Sequence, residues 1–355
     1  MTLSYEDLRR QAEAILRGFG YSREEARLTA WALVEADARG VPSHGVSRLA
    51  FYRANMDGGF AHPGREPEIV WETPGSLVVD GHDGVGCYIS EFAVNRMIGK
   101  AEACGSAFCA VRNSNHYGMA GLWAEKAAER GMIGMAFTNT RTCGIPTFGR
   151  RRLLGTNPIA VAVPSESGTF LLDMATTTVA HGKVEVYDRR KRPMPLGWAV
   201  DEHGRGTTDA TAFEKLFYEN PVYGGHLFLG GEGEENGGHK GYGLGLLVEL
   251  LCAGLSLGVA SYDTFAAGRG AGIAHFFGAM RMDLFGDPSS LRSHVAEILR
   301  EVRNSECAAG RERIYIHGEK ESEARARALR EGVDIDEATC EMLRVMTEKY
   351  ARDAE

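Results

Sequence analysis

Four polar segments of this 355-residue chain carry the side chains best suited to chemistry: SHGVSR (43–48), NSNHYG (113–118), GTNP (155–158) and GGHKGYG (237–243). In the first, His44 follows Ser43, and Arg48 comes four residues later. A histidine that exchanges a hydrogen bond with a serine is adequate acid–base machinery near neutral pH. An arginine can grip a carboxylate through two parallel N–H donors. Each also has a structural use, His44 as a helix cap and Arg48 as a surface ion-pair partner. In the second segment, almost nothing around His116 could be packed away as core. It is either an idle loop residue or a proton donor held in place, with Asn113, Ser114 and Asn115 available to orient it.

The glycine-rich stretches are less specific. DGHDGVG places Gly81, Gly84 and Gly86 in the reverse of the dinucleotide-binding spacing, so a turn is the simpler reading. GGHKGYGLGLL runs into an apolar helix, and exposed N–H groups at such a start, with Lys240 beside them, can hold a phosphate. A flexible loop before a buried helix is the alternative. Arg150, Arg151 and Arg152 form a basic run that reads as solvated surface or as a seat for an extra ribose phosphate.

The elements that must position these groups can be read in outline. The first forty residues form two helices, with Ser4 and Ser22 as N-caps and Glu25 completing a capping box; RGVPSHG then breaks the pattern, leaving Ser43 and His44 in a turn and Arg48 on the first turn of the next helix. From about residue 75, SLVVD, AFCAV, IGMAFT, PIAVAV and TFLLDM read as strands, and helices near 90–103 and 119–130 separate the early ones. Residues 154–175 run strand–turn–strand with no helix between, which requires antiparallel pairing and excludes a strictly doubly wound sheet. Residues 240–257 read as a largely buried helix, IAHFFGAMRMDLF as a strand, 288–303 as a helix, and the charged tail from Ser322 as helical.

Composition narrows the function classes. A net charge of −8 disfavours nucleic acid and anionic membrane as partners. The longest apolar run, from Leu244, is interrupted by Glu249 and is short for a bilayer span. The charged, amphipathic N-terminus lacks a signal-peptide core. Seven scattered cysteines with no CxxC pair read as reduced thiols of a cytoplasmic protein, and no residue is assigned as a metal ligand.

Together and in this order, the four segments resemble the malate/L-lactate dehydrogenase family of NAD(P)-dependent oxidoreductases, which is distinct from the Rossmann-type enzymes of similar name. LLDMATTTVAHGK (171–183), PLGWAVDEHGRGTTD (195–209) and IHGE (316–319) extend the resemblance over nearly the whole chain. It implies an α+β fold: a mainly antiparallel mixed sheet flanked by helices (73–299), beside a smaller helical domain from both chain ends (1–72 with 300–355). It implies a homodimer. It implies NAD or NADP contacts at Tyr117, Gly118, Met119, Ala120, Thr140, Asp173, Met174, Ala175, Lys240, His317, Gly318 and Glu319, and substrate contacts at Arg48, Thr156 and Asn157. His317 replaces the proline usual in the family, and Lys183 stands where imine-reducing relatives carry an acid. The latter argues against a cyclic-imine substrate.

The implied reaction passes the C2 hydride of a 2-hydroxy acid to the nicotinamide while a base takes the hydroxyl proton. An acid–base group titrating near neutrality suits that step, and His116 and His44 compete for it: His116 is favoured, with Ser43 and His44 binding and polarising substrate, and His44 is the alternative proton carrier. Malate-like or lactate-like acids are favoured over sugar-derived keto acids. Two other classes compete: a metal-dependent lyase or hydrolase built on His44, His116 and Asp173, and a binding protein that keeps the fold without turnover.

Overall fold

The computed structural model describes residues 1–351. In chain order the elements are β1 (Thr2–Leu3), α1 (Tyr5–Gly18), α2 (Arg23–Ala38), α3 (Leu49–Asp57), β2 (Glu68–Thr73), β3 (Ser76–Asp80), α4 (Gly86–Cys104), β4 (Ser106–Ser114), α5 (Gly121–Ala128), β5 (Met132–Thr138), β6 (Ile159–Val163), β7 (Phe170–Met174), α6 (His181–Arg189), β8 (Ala199–Val200), α7 (Ala210–Glu219), β9 (Gly225–His226), α8 (Gly238–Glu249), β10 (Ile273–Arg281), α9 (Pro288–Arg303), α10 (Glu319–Glu331), β11 (Val333–Asp334) and α11 (Glu337–Met346).

Seven strands form the central sheet in the order β2-β3-β4-β10-β5-β6-β7. Only β3 and β4 are parallel, joined by the long crossover helix α4. The other neighbours are antiparallel, including β6 and β7, where Ile159 pairs with Met174. The mainly antiparallel sheet expected from the missing helix between the last two strands is therefore present. Side-chain alternation sorts its two faces. Leu77, Val79, Cys109, Val111 and Ala136 pack under α4 and α5. Ala110, Ala274 and Phe276 face Val248 and Cys252.

A second core joins the chain ends. Leu8, Ala12, Ile15 and Leu16 of α1, at helical spacing, pack with α2 and with Ala328, Val333 and Leu343. Both predicted N-caps are made, and Ser22 and Glu25 exchange the two bonds of a capping box. Buried Glu35 ties α2 to the far end of the sequence, accepting from both Arg325 and Tyr5 and pairing with Arg39. Burial pushes the Glu35 carboxyl up, but these partners outweigh it and leave it below its ordinary range.

Three sequence expectations are corrected. Helix α8 is not buried all round: Val248 and Cys252 face the sheet, whereas Leu244 and Leu247, with Leu250 and Leu255 just beyond it, are exposed. Arg152 is neither solvated surface nor free for a phosphate. It is buried and donates to the carbonyls of Gly224, Phe217 and Tyr223, stapling the 217–224 segment. The tail helix begins at Glu319, earlier than expected.

Candidate active site

His116 lies just beyond the C-terminal end of β4, where the chain turns toward α5. Gly86, at the start of α4, makes room for it: a Cβ there would come within 2.3 Å of the Asn115 carbonyl and 2.4 Å of that of His116. Its three expected orienting partners are engaged elsewhere. Asn113, at φ 51°, donates to Asp80; Ser114 bonds the buried His275; Asn115 donates to the carbonyls of Phe60, Asp83 and Gly84. They hold the strand end, and Tyr52 of α3 orients the imidazole instead, its hydroxyl 2.9 Å from Nδ1. The Gly118 N–H also donates to Nδ1, at 3.3 Å. Because an amide N–H can only donate, Nδ1 is the acceptor and the neutral ring carries its proton on Nε2.

Ser43 and His44 occupy a 3₁₀ turn (Pro42–His44), with Ser43 Oγ 3.0 Å from His44 Nδ1. A second such turn (Val46–Arg48) leads into α3 and carries Arg48. The Arg48 Nε donates to the Ser43 carbonyl, and among the described residues Arg48 forms no salt bridge. Asp37 braces this loop from α2: it accepts the Val46 N–H at 2.7 Å and lies so close to Gly45 that no Cβ would fit. Burial pushes the Asp37 carboxyl up to about 7. The loop places the His44 ring over that of His116, with centroids 5.6 Å apart and planes at 21°.

Burial first, then the charges of His44, Arg48 and His275, hold His116 well below the ordinary imidazole range. Burial and Arg48 bring His44 down to about 4. Neither ring titrates near neutrality by itself, contrary to expectation; both are neutral at pH 7.

The residues expected to meet the cofactor fall into connected groups. Tyr117 is buried against His275, their rings parallel at 4.4 Å, and its hydroxyl has no hydrogen-bond partner. Asp173, at the end of β7, accepts the Gly121 N–H at 2.7 Å and so caps α5; burial raises its carboxyl to about 6. Met119 and Ala120 lead into α5, and Met174 and Ala175 follow Asp173. The 317–318 turn lies against the same strand, Leu171 N–H donating to the His317 carbonyl and Gly318, at φ 92°, packing on Leu171. Thr140 accepts the Thr156 N–H at 2.9 Å. Lys240 is exposed on the first turn of α8, whose N-terminus has no side-chain cap.

Two of the expected contact residues have their side chains engaged within the protein. Asn157 is fully buried and donates to the Gly245 carbonyl and to Glu249, so it anchors α8. Glu319 is turned to Arg303, Arg313 and the Ile316 N–H. Nor do His44, His116 and Asp173 gather as metal ligands; among the described residues the one group with that spacing is His181, Glu185 and Glu214. Tyr52, Asp37 and His275 escaped the sequence reading. Only Tyr52 left a trace, four residues after Arg48 and so on the same side of a helix.

A seven-stranded, mainly antiparallel sheet with two stacked histidines and an arginine beyond the end of its strand β4 defines a non-Rossmann class of α/β protein. The family model of malate/L-lactate dehydrogenases matches residues 3–344, and the chain belongs to that family. It is 41% identical over 308 residues to a malate dehydrogenase of Pyrococcus horikoshii, covering 86% of this chain and 83% of that protein. It is 35% identical to an L-sulfolactate dehydrogenase of Methanocaldococcus jannaschii over 95% of this chain and 93% of the relative. The crystal structure of malate dehydrogenase from Entamoeba histolytica superposes with a TM-score of 0.92 at 30% identity, covering 99% of this chain and 98% of that one. Further relatives are named for NAD(+) in one case and NADP(+) in another.

Proposed function

We propose that this protein transfers a hydride between NAD or NADP and C2 of a small 2-hydroxy acid, malate-like or lactate-like acids being favoured. One observation carries the reading: His44, His116 and Arg48 converge, two stacked neutral imidazoles beside a guanidinium with no salt bridge among the described residues. When bound, the nicotinamide supplies the carbon that gives or takes the hydride. The residues available to hold the dinucleotide are Tyr117 to Ala120, Thr140, Asp173 to Ala175, Lys240 and the 317–318 turn. The partnerless Tyr117 hydroxyl and the uncapped α8 N-terminus beside Lys240 fit such a ligand.

Arg48 grips the substrate carboxylate with its Nη groups while its Nε stays anchored on Ser43. Burial is the main cause that holds both histidines low; the carboxylate offsets the smaller contribution of Arg48 and so moves His116 upward, the direction useful for proton transfer. In the resting ring Nδ1 accepts and Nε2 carries the proton; releasing the long Gly118 contact lets the Tyr52 hydroxyl accept from Nδ1–H instead, which frees the Nε2 lone pair. In oxidation, Nε2 takes the hydroxyl proton while Nδ1–H donates to Tyr52; in reduction the proton returns from Nε2. Ser43 and His44 polarise the same oxygen, and Thr156 borders the site.

The exposed leucine row of α8 supports a homodimer. The buried free thiols Cys87, Cys109, Cys143 and Cys252 support a cytoplasmic location. No helix among the described residues is long and apolar enough to cross a membrane.

The test follows nicotinamide absorbance with NADH and NADPH against a panel of 2-keto acids that includes oxaloacetate and pyruvate. Turnover of oxaloacetate supports the malate-like assignment. Oxaloacetate ignored while another acid reacts replaces that substrate, and no turnover across the panel overturns the reading.

A further inference from the structure

Helices α6 and α7 face each other across a small core that includes Val184 and Phe213. Each presents two polar groups one turn apart, His181 and Glu185 on α6 and Glu214 and Tyr218 on α7. They converge on one nitrogen. His181 Nε2 lies 3.4 Å from a Glu214 oxygen, 4.0 Å from a Glu185 oxygen and 3.3 Å from the Tyr218 hydroxyl. The ligand atoms of His181, Glu185 and Glu214 all lie within 4.8 Å of one another. A tetrahedral ion with bonds of roughly 2.0–2.2 Å holds its ligand atoms about 3.3–3.6 Å apart; the His181–Glu214 pair already has that spacing, and the half-exposed Glu185 must move closer.

Two further observations point to a cation in place of a simple ion pair. Glu214 is nine-tenths buried, yet its Oε1 has no hydrogen-bond partner. A buried carboxylate oxygen left without a donor is costly; Oε2 is the oxygen that faces His181, and an ion held by both oxygens of Glu214 would satisfy Oε1 as well. The other nitrogen of His181, Nδ1, lies 2.9 Å from Nε2 of the fully buried His226. In this contact His226 Nε2 can accept from His181 Nδ1–H. That leaves the Nε2 lone pair of His181 facing the two carboxylates, the arrangement in which an outer partner fixes a metal-binding imidazole. The Phe217 ring stacks on His181 at 4.2 Å and walls the cluster with apolar surface.

We propose that His181, Glu185 and Glu214 form a site for a divalent first-row transition ion of the Zn2+ class, with the Tyr218 hydroxyl beside its open position and His226 as the positioning residue. One imidazole with two carboxylates suits such an ion better than Mg2+ or Ca2+, which favour all-oxygen shells. The site clamps α6 to α7 and uses neither of the stacked histidines.

The experiment uses the full-length chain, freed of metal by a chelator and dialysed. Zn2+ binding is titrated calorimetrically, and Co2+ reports geometry through its visible spectrum. The expected result is one ion per chain with a tetrahedral Co2+ spectrum and a rise in melting temperature. His181→Ala and Glu214→Gln lose binding, His226→Phe weakens it about 10- to 100-fold, and His44→Asn leaves it intact. Circular dichroism shows that the variants are folded, and Glu185→Gln, at a half-exposed position, gives a milder second reading of the same loss. No Zn2+ binding by the wild-type chain, or binding that survives in both His181→Ala and Glu214→Gln, overturns the proposal.

Discussion

The imidazole of His44 lies over that of His116, 5.6 Å away and tilted by 21°, so the two rings share one local field. A proton on either raises the cost of a proton on the other, and Arg48 depresses both. Ser43 and Tyr52 hold the pair from its two ends.

Their roles separate by single substitution. His116→Asn is expected to lower kcat by about 100- to 10,000-fold, the usual worth of positioned proton transfer. His44→Asn should act mainly on KM. Steady-state kinetics check both; near-normal turnover in His116→Asn with turnover abolished in His44→Asn would reverse the assignment.

Tyr52→Phe removes the group that can accept from His116 Nδ1–H, so it disfavours the protonated ring and moves the His116 titration lower still. A loss of about one hydrogen bond, near 1 kcal/mol, corresponds to roughly a fivefold fall in kcat/KM. The pH profile should shift to the acid side; an unchanged profile would remove Tyr52 from the proton path.

Arg48→Lys keeps the charge but gives up the planar fork. It also loses the Nε anchor on the Ser43 carbonyl. KM for 2-keto acids is expected to rise by about 10-fold or more, from the loss of a charged hydrogen bond worth roughly 1.5–3 kcal/mol. Keto substrates that lack a carboxylate should show no such rise.

Asp37 links the loop to pH. Its carboxyl is raised to about 7 in the fold, against about 3.9 in an unfolded chain. Between these values the folded state holds a proton that the unfolded state has released, so this group's contribution to stability falls as pH rises and levels off above pH 7. Asp37→Asn deletes that slope. Urea denaturation of both proteins from pH 5 to pH 8 should show the variant gaining on the wild type as pH increases; parallel curves would contradict the assignment.

Much of this was legible in the residues because the signals are local. Caps at Ser4 and Ser22, short apolar strands and the missing helix between β6 and β7 depend on neighbours in sequence. The site's polar segments stood out for the same reason, being groups that cannot be core. What sequence could not show depends on distant chain. Asn113, Ser114 and Asn115 look like partners of His116, but their true partners lie on other elements, at Asp80, His275 and Phe60. Arg152 belongs to a run of three identical charges, and only the backbone carbonyls it meets across 65 to 72 residues distinguish it. The low titration of both histidines likewise arises from burial and from charges brought together by folding.

The acid that interrupts the apolar run of α8 settles how that helix is turned. Glu249 is buried and accepts from Asn139, Asn157 and both the N–H and hydroxyl of Ser261. A rod of leucines and glycines alone could rotate or slip by one position against the sheet at little cost, because one leucine replaces another. A carboxylate locked to three separate segments cannot. It works as the key on a shaft, setting at once which side shows its leucines and where the Lys240 end comes to rest.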